Sequence, residues 1–335
     1  MSSPLARRMQ SNIETTPVPR CPVCGASGGR PHLRVREHEY DTTTDDWFTL
    51  KACGDCGAWF LDPRPSDAAL GVIYPPNYYA HSNYPDGRRS LFARLSERLF
   101  RARMRPVEAV VPLGPPTRWL EIGCGEGGIF ASLQRLYGVR QVMGVDLSAA
   151  AVEVCRRKGF AAHVGRFESF APPGGERFDV VFGSHVIEHV ASPRDYVEKC
   201  FALLDPGGVC VFITPNKAVW EARLFGRHWG GLHAPRHWTL LDPDSARRLG
   251  ERAGFAHHAT LFSANGVFWS WSLHSLLQER VGRRLADRLF PSDDRMTRPG
   301  LANIARVATF SLLDMACVRL LGRSANMMVV LRKPG

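Results

Sequence analysis

The chain has 335 residues, 44% of them hydrophobic and 22% charged, which is the composition of a folded globular protein and excludes a fibrous or disordered one. No run of about 18 apolar residues is present, which excludes a membrane-spanning helix. The formal net charge is +11, and seven arginines against the single acid Glu97 fall between Arg88 and Arg105. This arginine-rich segment predicts either a solvated helix face or a surface for phosphate, nucleic acid or anionic lipid.

The first 65 residues divide into a tail and a cysteine-containing module. We expect residues 1–19 to form a flexible tail, and because this stretch lacks the apolar core of a signal peptide, the sequence favours a cytoplasmic protein. Residues 20–65 contain two Cys-x-x-Cys pairs, made up of Cys21, Cys24, Cys53 and Cys56. Four thiolates at this spacing predict a closed tetrahedral zinc site with a structural role, and a redox pair is the alternative.

Residues 66–111 combine a linker with a basic helix. The linker carries the aromatic pair Tyr78 and Tyr79, which either packs against the linker itself or closes over a bound ligand. Leucines then recur every fourth residue from Leu91 to Leu99, inside the arginine-rich segment. That spacing predicts an amphipathic helix with a basic face ahead of the main domain.

From residue 112 onwards, strand-like and helix-like segments alternate, which predicts an α/β domain with a mostly parallel sheet covered by helices. The readable apolar strands are Arg118–Ile122, Gln141–Val145, Phe178–Gly183 and Val209–Thr214. Residues 266–322 are predicted to form a helical insertion before a last strand at Met327–Arg332. We therefore assign residues 112–335 to one domain.

A glycine-rich loop carries the clearest chemical signal. The segment Glu121-Ile122-Gly123-Cys124-Gly125-Glu126-Gly127 joins the first strand to a helix, and its glycines allow a ligand to approach the backbone closely. Such a loop alone also fits a dinucleotide site. However, Glu121 would repel a pyrophosphate and attract a cation, and Asp146 ends the second strand, where a carboxylate accepts ribose hydroxyls. The combination indicates S-adenosylmethionine, whose amino-acid tail and sulfonium are positively charged.

Residues from about 117 to 333 resemble the class I S-adenosylmethionine-dependent methyltransferases. The resemblance includes the glycine loop, Asp146, the pair of segments Phe178–Val181 and Ile187–Val190, and the turn Leu204–Gly208. It implies a Rossmann-like sheet of seven strands with the last strand antiparallel, and a cofactor at the carboxyl ends of the first two strands. The zinc-ribbon-like four-Cys module in front is similar to the architecture of sugar C-methyltransferases from natural-product and polysaccharide pathways.

The resemblance also implies a set of cofactor-binding residues. In the family an acid after the third strand commonly contacts adenine, but here Arg166 and Phe167 follow that strand. Adenine would then pack on Phe167, or Glu168 would supply the polar contact. The predicted cofactor-binding set is Glu121, Gly123, Cys124, Gly125, Gly127, Asp146, Leu147, Phe167, Glu168 and Ser184.

Residues after the fifth strand are expected on the acceptor side. In the sugar C-methyltransferases a histidine of this segment is the general base, and His237 matches it in position, with a structural role next to the following helix as the alternative. The predicted catalytic candidates are His237, His185 and His233, whereas His189 is expected to be a packed structural residue. Arg236 is a candidate to hold an acceptor phosphate or carboxylate, with Asn216 as a second acceptor-binding residue.

These observations predict a methyltransferase that transfers a methyl group by in-line displacement to a small molecule or glycan, such as a nucleotide- or lipid-linked sugar or a natural product. The expected cofactors are S-adenosylmethionine and structural zinc. A nucleic-acid methyltransferase is the first alternative, motivated by the arginines and the cysteine module, although nucleic acid is not the expected partner. The second alternative is a non-catalytic membrane-surface protein that uses the arginine-rich segment and Phe268–Leu277, and peripheral membrane contact remains an open expectation for the enzyme too.

Overall fold

The computed structural model describes residues 9–75, 91–292 and 300–335, so that Tyr78 and Tyr79 lie outside the described residues. The strands are β1 (Thr15–Thr16), β2 (Arg30–Arg36), β3 (Trp47–Ala52), β4 (Trp59–Leu61), β5 (Arg64–Pro65), β6 (Arg118–Ile122), β7 (Gln141–Asp146), β8 (Ala161–Val164), β9 (Phe178–Ser184), β10 (Leu204–Pro215), β11 (Thr239–Leu240), β12 (Ala256–Ser263) and β13 (Asn326–Arg332). The helices are α1 (Leu70–Ile73), α2 (Leu91–Glu108), α3 (Gly128–Tyr137), α4 (Ala149–Arg157), α5 (Pro193–Leu203), α6 (Trp220–Phe225), α7 (Pro243–Arg252), α8 (Gly266–Val281), α9 (Arg283–Leu289) and α10 (Leu301–Leu321).

A seven-stranded sheet forms the centre of the molecule. Its strand order is β12-β13-β10-β9-β6-β7-β8, with parallel pairing from β10 to β8 and with β13 antiparallel to both of its neighbours. The expectation of a Rossmann-like sheet of seven strands with an antiparallel last strand is confirmed. The strand order reverses at β6, so the loops after β6 and β9 leave the same edge of the sheet on either side of a crevice, which is where ligands bind in such sheets.

Buried apolar residues define the central strands, and polar capping residues define where the helices begin. The middle strands β9 and β10 are runs of apolar residues buried on both faces, as expected of strands covered by helices. The helices around them begin at polar caps: the Ser148 side chain accepts a hydrogen bond from the Ala151 amide, and the Ser192 side chain accepts one from the Asp195 amide. Asp242 and Ser245 form a reciprocal capping box at the start of α7.

The N-terminal module builds a second sheet that includes a strand from the main domain. Its order is β11-β4-β3-β2, and β11 comes from residues that follow β10 by more than twenty positions. Strand β2 ends at Arg36, after which the Glu37 side chain accepts the amides of Glu39 and Tyr40 in a turn. The module therefore packs as an integral part of the fold.

The predicted helical insertion consists of α8, α9 and α10. The side chains of α8 are mostly buried, among them Phe268, Trp269 and Trp271, which pack against the second sheet and α6. The proposal that Phe268–Leu277 meets a membrane is therefore wrong, because its large aromatic side chains are in the core. Among the described residues, no helix has the length and apolar character needed to cross a membrane.

Candidate active site

The glycine loop between β6 and α3 requires glycine at several positions. Gly123, Gly125 and Gly127 all have positive φ angles, of 74°, 50° and 77°. A Cβ on Gly123 would lie 2.8 Å from a methyl carbon of Val186, which belongs to the loop after β9. The two loops at the crevice are thus in direct contact, and the backbone of the glycine loop is left open to a ligand.

Glu121 lies on β6 just before this loop. It is 4% exposed, and its Oε2 atom has no hydrogen-bond partner in the part of the chain that the structure describes. Burial raises the pKa of Glu121 well above the ordinary range, whereas the charge of Arg103 acts in the opposite direction. A buried, unpaired carboxylate fits the ammonium group of the S-adenosylmethionine amino-acid tail, because that cation would supply the missing hydrogen bonds.

Asp146 and Leu147 end β7 on the other side of the loop. The Asp146 carboxylate accepts the Gly125 amide at 2.9 Å and the Ser148 amide at 2.8 Å, which fixes it beside the glycine loop while each oxygen keeps further lone pairs for ribose hydroxyls. The Leu147 side chain is 66% exposed and offers an apolar surface next to this carboxylate. The arrangement fits a nucleoside.

The structure contradicts the predicted stacking of adenine on Phe167, leaves the side chain of Glu168 exposed, and changes the role of Cys124. Phe167 is 4% exposed and packs edge-on against Tyr196, so its ring belongs to the core and is not free to stack on adenine. Glu168 is exposed, and its backbone carbonyl accepts a hydrogen bond from Lys199. Cys124 is also buried, and its thiol interacts with that of Cys155. Only its backbone atoms are therefore available to a ligand of the glycine loop.

Arg103 is a site residue that the sequence analysis did not single out. It extends from α2 and donates a hydrogen bond to the Ser184 hydroxyl at 3.3 Å, with its guanidinium 5.7 Å from the centre of the Phe182 ring. The same guanidinium interacts electrostatically with Glu121. The sequence signal did not distinguish Arg103 from the other arginines of the run, because only the three-dimensional structure shows that its side chain turns towards Ser184 and Glu121.

His185 and Glu188 form a hydrogen-bonded pair directly after β9. Nδ1 of His185 lies 2.9 Å from Oε1 of Glu188, and Oε2 of Glu188 accepts the Thr214 hydroxyl at 3.0 Å. The Glu188 side chain is fully buried, whereas that of His185 is 33% exposed and its backbone adopts a left-handed conformation with φ 55°. Because a carboxylate can only accept, Nδ1 carries the proton and Nε2 keeps a lone pair, which is the form that accepts a proton.

The charge of Glu188 is stabilised from several directions. Burial alone would raise the pKa of Glu188, but the hydrogen bond and charge of His185, together with His189 and His237, outweigh it and lower the pKa to about 2. Glu188 is therefore ionised at neutral pH and orients His185. The sequence analysis quoted Glu188 as part of a family motif without assigning it a role. The ligand atoms of Glu188, His189 and His237 lie within 4.8 Å of one another, close enough to share a cation.

His237 and His233 are buried beneath this pair. Nδ1 of His237 donates to the Gly231 carbonyl at 2.9 Å, which leaves Nε2 3.9 Å from Oε1 of Glu188. The His233 ring stacks on Trp271, and its Nε2 accepts from Arg236. Burial lowers the pKa of both histidines well below the ordinary value. Neither ring reaches the crevice, so the structure does not place them as proton acceptors for a substrate, and the cap of α7 is Asp242.

The two predicted acceptor-binding residues are also buried. Every N–H donor of Arg236 has a partner within the protein: Glu37, Glu39, the Ile73 carbonyl and His233. Asn216 is fully buried and bonds the Ser324 carbonyl and the Ala218 amide. The predictions that Arg236 and Asn216 bind the acceptor are wrong for this structure. Arg236 instead connects the main domain to the module through Glu37 and Glu39, a pairing that no sequence pattern indicated.

The four cysteines of the module come together as predicted. The sulfur atoms of Cys21 and Cys56 are 3.6 Å apart, those of Cys24 and Cys53 are 3.5 Å apart, and all four lie within 4.8 Å of one another. A tetrahedral zinc ion with bonds of about 2.3 Å places its sulfur ligands about 3.8 Å apart, so the cluster has the size that zinc requires.

The sheet order, the glycine loop, the buried Glu121 and the carboxylate of Asp146 at the end of β7 define a class I S-adenosylmethionine-dependent methyltransferase. The chain belongs to the methyltransferase-domain family, whose model matches residues 88–260.

The curated relatives belong to the same class, and the chain also resembles solved structures. The chain is 32% identical over 170 residues to the ubiquinone biosynthesis O-methyltransferase of Cereibacter sphaeroides strain KD131, covering 47% of this chain and 67% of that relative. It is 35% identical over 149 residues to the protein of that name from Chelativorans sp. strain BNC1, covering 41% and 58%. A solved S-adenosylmethionine-dependent methyltransferase from Archaeoglobus fulgidus gives a TM-score of 0.43 at 18% identity, covering 71% of this chain and 94% of that one.

Proposed function

We propose that this methyltransferase methylates a hydroxyl oxygen of a small-molecule or glycan acceptor, with His185 as the general base. The observation that carries the proposal is the pair of His185 and Glu188, which follows β9 at the carboxyl edge of the sheet. The His185 imidazole is partly exposed there, and its Nε2 has no hydrogen-bond partner among the residues that the structure describes. A base is needed when the acceptor must lose a proton to become nucleophilic, as a hydroxyl must. The O-methyltransferase names of the relatives also support oxygen as the acceptor atom.

The cofactor end of the crevice is assigned to residues of three elements. S-adenosylmethionine supplies a methyl group on a positively charged sulfur that leaves as a neutral thioether. Glu121 would accept the ammonium group, and Arg103 would bind the neighbouring carboxylate, since the two side chains are close enough to interact with each other. Asp146 and Leu147 would hold the nucleoside. These contacts fix the methyl group at the edge of the sheet, where alignment and exclusion of water supply most of the rate enhancement.

The acceptor end is assigned to the loop after β9. The acceptor hydroxyl donates its proton to Nε2 of His185 while its oxygen attacks the methyl carbon in line with the departing sulfur. The imidazolium that forms is stabilised by the ionised Glu188, which already holds Nδ1. Glu188 thus orients the ring and compensates its charge, the role of the third group in other base-assisted sites.

We further propose that the four cysteines hold a structural zinc ion. The cluster leaves no coordination position for a substrate, because all four ligands come from the protein. The zinc would fix the two cysteine loops, and thereby β3 and β4, against the main domain. Support comes from the sulfur spacing and from the pairing of β4 with β11.

The contacts of two described arginines of α2 do not favour the nucleic-acid alternative. Among the described arginines of α2, Arg103 turns into the crevice, and Arg101 donates to the Leu136 carbonyl and lies over the Tyr137 ring. Arg101 is thus bound to the protein itself and Arg103 lies at the cofactor end of the crevice, which reduces the basic surface that the sequence implied.

The test is a methyl-transfer assay with probes of different acceptor atoms. We would incubate the protein with methyl-labelled S-adenosylmethionine and catechol, a nucleotide-linked hexose, an alkyl amine or duplex RNA, and locate the label in the product by mass spectrometry. We expect label on oxygen of a catechol or sugar, and loss of that product in His185→Ala. Label on nitrogen, carbon or RNA, or a product rate that His185→Ala leaves unchanged, would contradict the proposal.

A further inference from the structure

Helix α10 exposes an unusually apolar face for a surface helix. Its acid, Asp314, is buried and accepts the Asn265 amide at 2.6 Å, and Arg306 turns towards the domain, 5.9 Å from the centre of the Phe290 ring. Phe310 packs inwards against Trp269 and Phe290, but six other large apolar side chains of α10 are exposed: Ile304, Leu312, Leu313, Met315, Leu320 and Leu321. A helix of a protein that meets only water normally has the opposite arrangement.

The exposed apolar residues form one continuous surface. Ile304, Leu312 and Met315 follow one another along a single face at helical spacing, and Leu320, which is 82% exposed, extends that surface towards the end of the helix. From Ile304 to Leu320 the strip is about 24 Å long. Isolated exposed leucines need no explanation, but an apolar strip of this length marks an interaction surface.

Helix α6 extends the same surface. The indole N–H of Trp220 donates to the Cys317 sulfur at 3.2 Å, which holds α6 beside α10. Trp220 is 38% exposed, and Leu224, one turn further along α6, is 59% exposed. We call the exposed side chains of α6 and α10 together the α6–α10 face. A tryptophan at the edge of an apolar strip is typical of proteins that insert at a lipid–water boundary.

Among the described residues of α6, α10 and the turn after α10, the exposed charges are all positive. Arg223, Arg319 and Arg323 are exposed at its margin, whereas the acids of the two helices, Glu221 and Asp314, are buried. An anionic surface complements this pattern, with the arginine stems lying along the apolar strip and their guanidinium groups at the phosphates. A second copy of the chain fits less well, because it would bring the same arginines towards each other.

We propose that the α6–α10 face docks onto an anionic lipid surface, with α10 lying in the plane of the interface. The proposal goes beyond methyl transfer and does not depend on which acceptor is used. Since no described helix is suited to spanning a membrane, the attachment is peripheral. The basic helix α2 and the buried segment Phe268–Leu277 take no part in it.

The experiment is co-sedimentation of the full chain with vesicles of phosphatidylglycerol and phosphatidylcholine, and with vesicles of phosphatidylcholine alone. The variant Leu312→Ser/Leu320→Ser removes two exposed leucines of the face. The matched control is Leu99→Ser, because Leu99 is an exposed leucine of comparable accessibility on α2. S-adenosylmethionine affinity, measured for each protein, reports whether the fold is intact. Brominated lipids quench tryptophan on contact, and comparison with Trp220→Phe isolates the signal of Trp220.

We expect the wild-type chain to bind the anionic vesicles and to bind the neutral ones far less. The double serine variant should bind at least about tenfold more weakly because it loses apolar contact area, while Leu99→Ser binds normally. Quenching by brominated lipids should decrease in Trp220→Phe. The proposal is overturned if the wild-type chain ignores anionic vesicles, or if Leu99→Ser is impaired as much as the double variant. It is also overturned if the chain forms a dimer in sedimentation velocity that the double variant dissolves, without vesicle binding.

Discussion

Nδ1 of His185 lies 2.9 Å from Oε1 of Glu188, and this contact joins a partly exposed imidazole to a fully buried carboxylate. The geometry fixes the tautomer of His185, so that Nε2 is the atom available to a substrate. The backbone of His185 is held in a left-handed conformation that a non-glycine residue seldom adopts. Conformations of this kind persist where the surroundings enforce them, which is common at functional sites.

The first prediction concerns His185. Removing it in His185→Ala should lower kcat by about 10²- to 10⁴-fold, because the acceptor hydroxyl loses its general base, while the affinity for S-adenosylmethionine stays the same. Glu188→Gln should lower kcat to a smaller extent, since the ring remains but loses its charged partner. Steady-state kinetics and calorimetric titration separate the two effects. His258→Ala is the matched control, because His258 is exposed on β12, and its substitution should leave both quantities unchanged.

The second prediction concerns Glu121 and the cofactor. Glu121→Gln should weaken S-adenosylmethionine binding by roughly 10- to 150-fold, the range expected for a hydrogen bond to a charged group. Because burial raises the pKa of Glu121, the carboxyl must give up its proton to pair with the ammonium group. Affinity should therefore rise with pH in the wild-type chain, and Glu121→Gln should remove this rise. Glu126→Gln changes an acid of the same loop that pairs with Lys158 at the surface, and an equal loss there would count against the assignment.

The central sheet follows from the sequence because each of its signals is local. The glycine loop, the apolar runs of β9 and β10 and the cap at Ser192 are readable residue by residue, and their alternation gives the fold. The cysteine cluster is also predictable from local signals, since the spacing within each Cys-x-x-Cys pair predicts the cluster that the structure contains.

The acceptor side was harder to predict because its determinants are long-range. Arg236 looked like an anion-binding residue, yet its partners Glu37 and Glu39 lie about 200 positions earlier in the chain. Phe167 follows β8 at the expected adenine position, but the neighbouring Tyr196 on α5 draws its ring into the core. The charge of a residue and its position in the sequence do not show whether its side chain is already paired or packed within the protein.

The third prediction concerns the cysteine cluster. The purified chain should contain about one zinc ion per molecule, and Cys53→Ser should reduce this content and lower the melting temperature. Because the module shares its sheet with β11 of the main domain, unfolding should remain a single transition that shifts as a whole. Atomic absorption and calorimetry give the two readings. Cys317→Ala, which alters a cysteine far from the cluster in sequence, should keep its zinc, and a chain that melts normally without zinc would argue against a structural role.

The fourth prediction separates the two roles considered for Arg236. Arg236→Met leaves Glu37 and Glu39 buried without their cation, which should reduce the free energy of unfolding by about 3 to 5 kcal/mol. Adding Glu37→Gln and Glu39→Gln should restore part of the lost free energy of unfolding, because the buried carboxylates without a cation are removed. The folded fraction of each variant should keep the wild-type KM for an acceptor, because no donor of Arg236 is free to bind one. A KM that rises in Arg236→Met would return this residue to the acceptor site.

The fifth prediction concerns Glu221, which lies beneath α10. Burial, with the nearby Asp314, raises the pKa of Glu221 to about 8, although the hydrogen bond from Trp229 acts against this. Since the folded chain holds a proton there that the unfolded chain releases near pH 4.5, the stability from this group is present at low pH and is lost as pH rises from about 4.5 to 8. Glu221→Gln should flatten this decline, which urea titrations at pH 6 and pH 8.5 would measure. Glu251→Gln, at an exposed acid on α7, should leave the decline as it is in the wild-type chain, and a decline that persists in Glu221→Gln would assign it to another group.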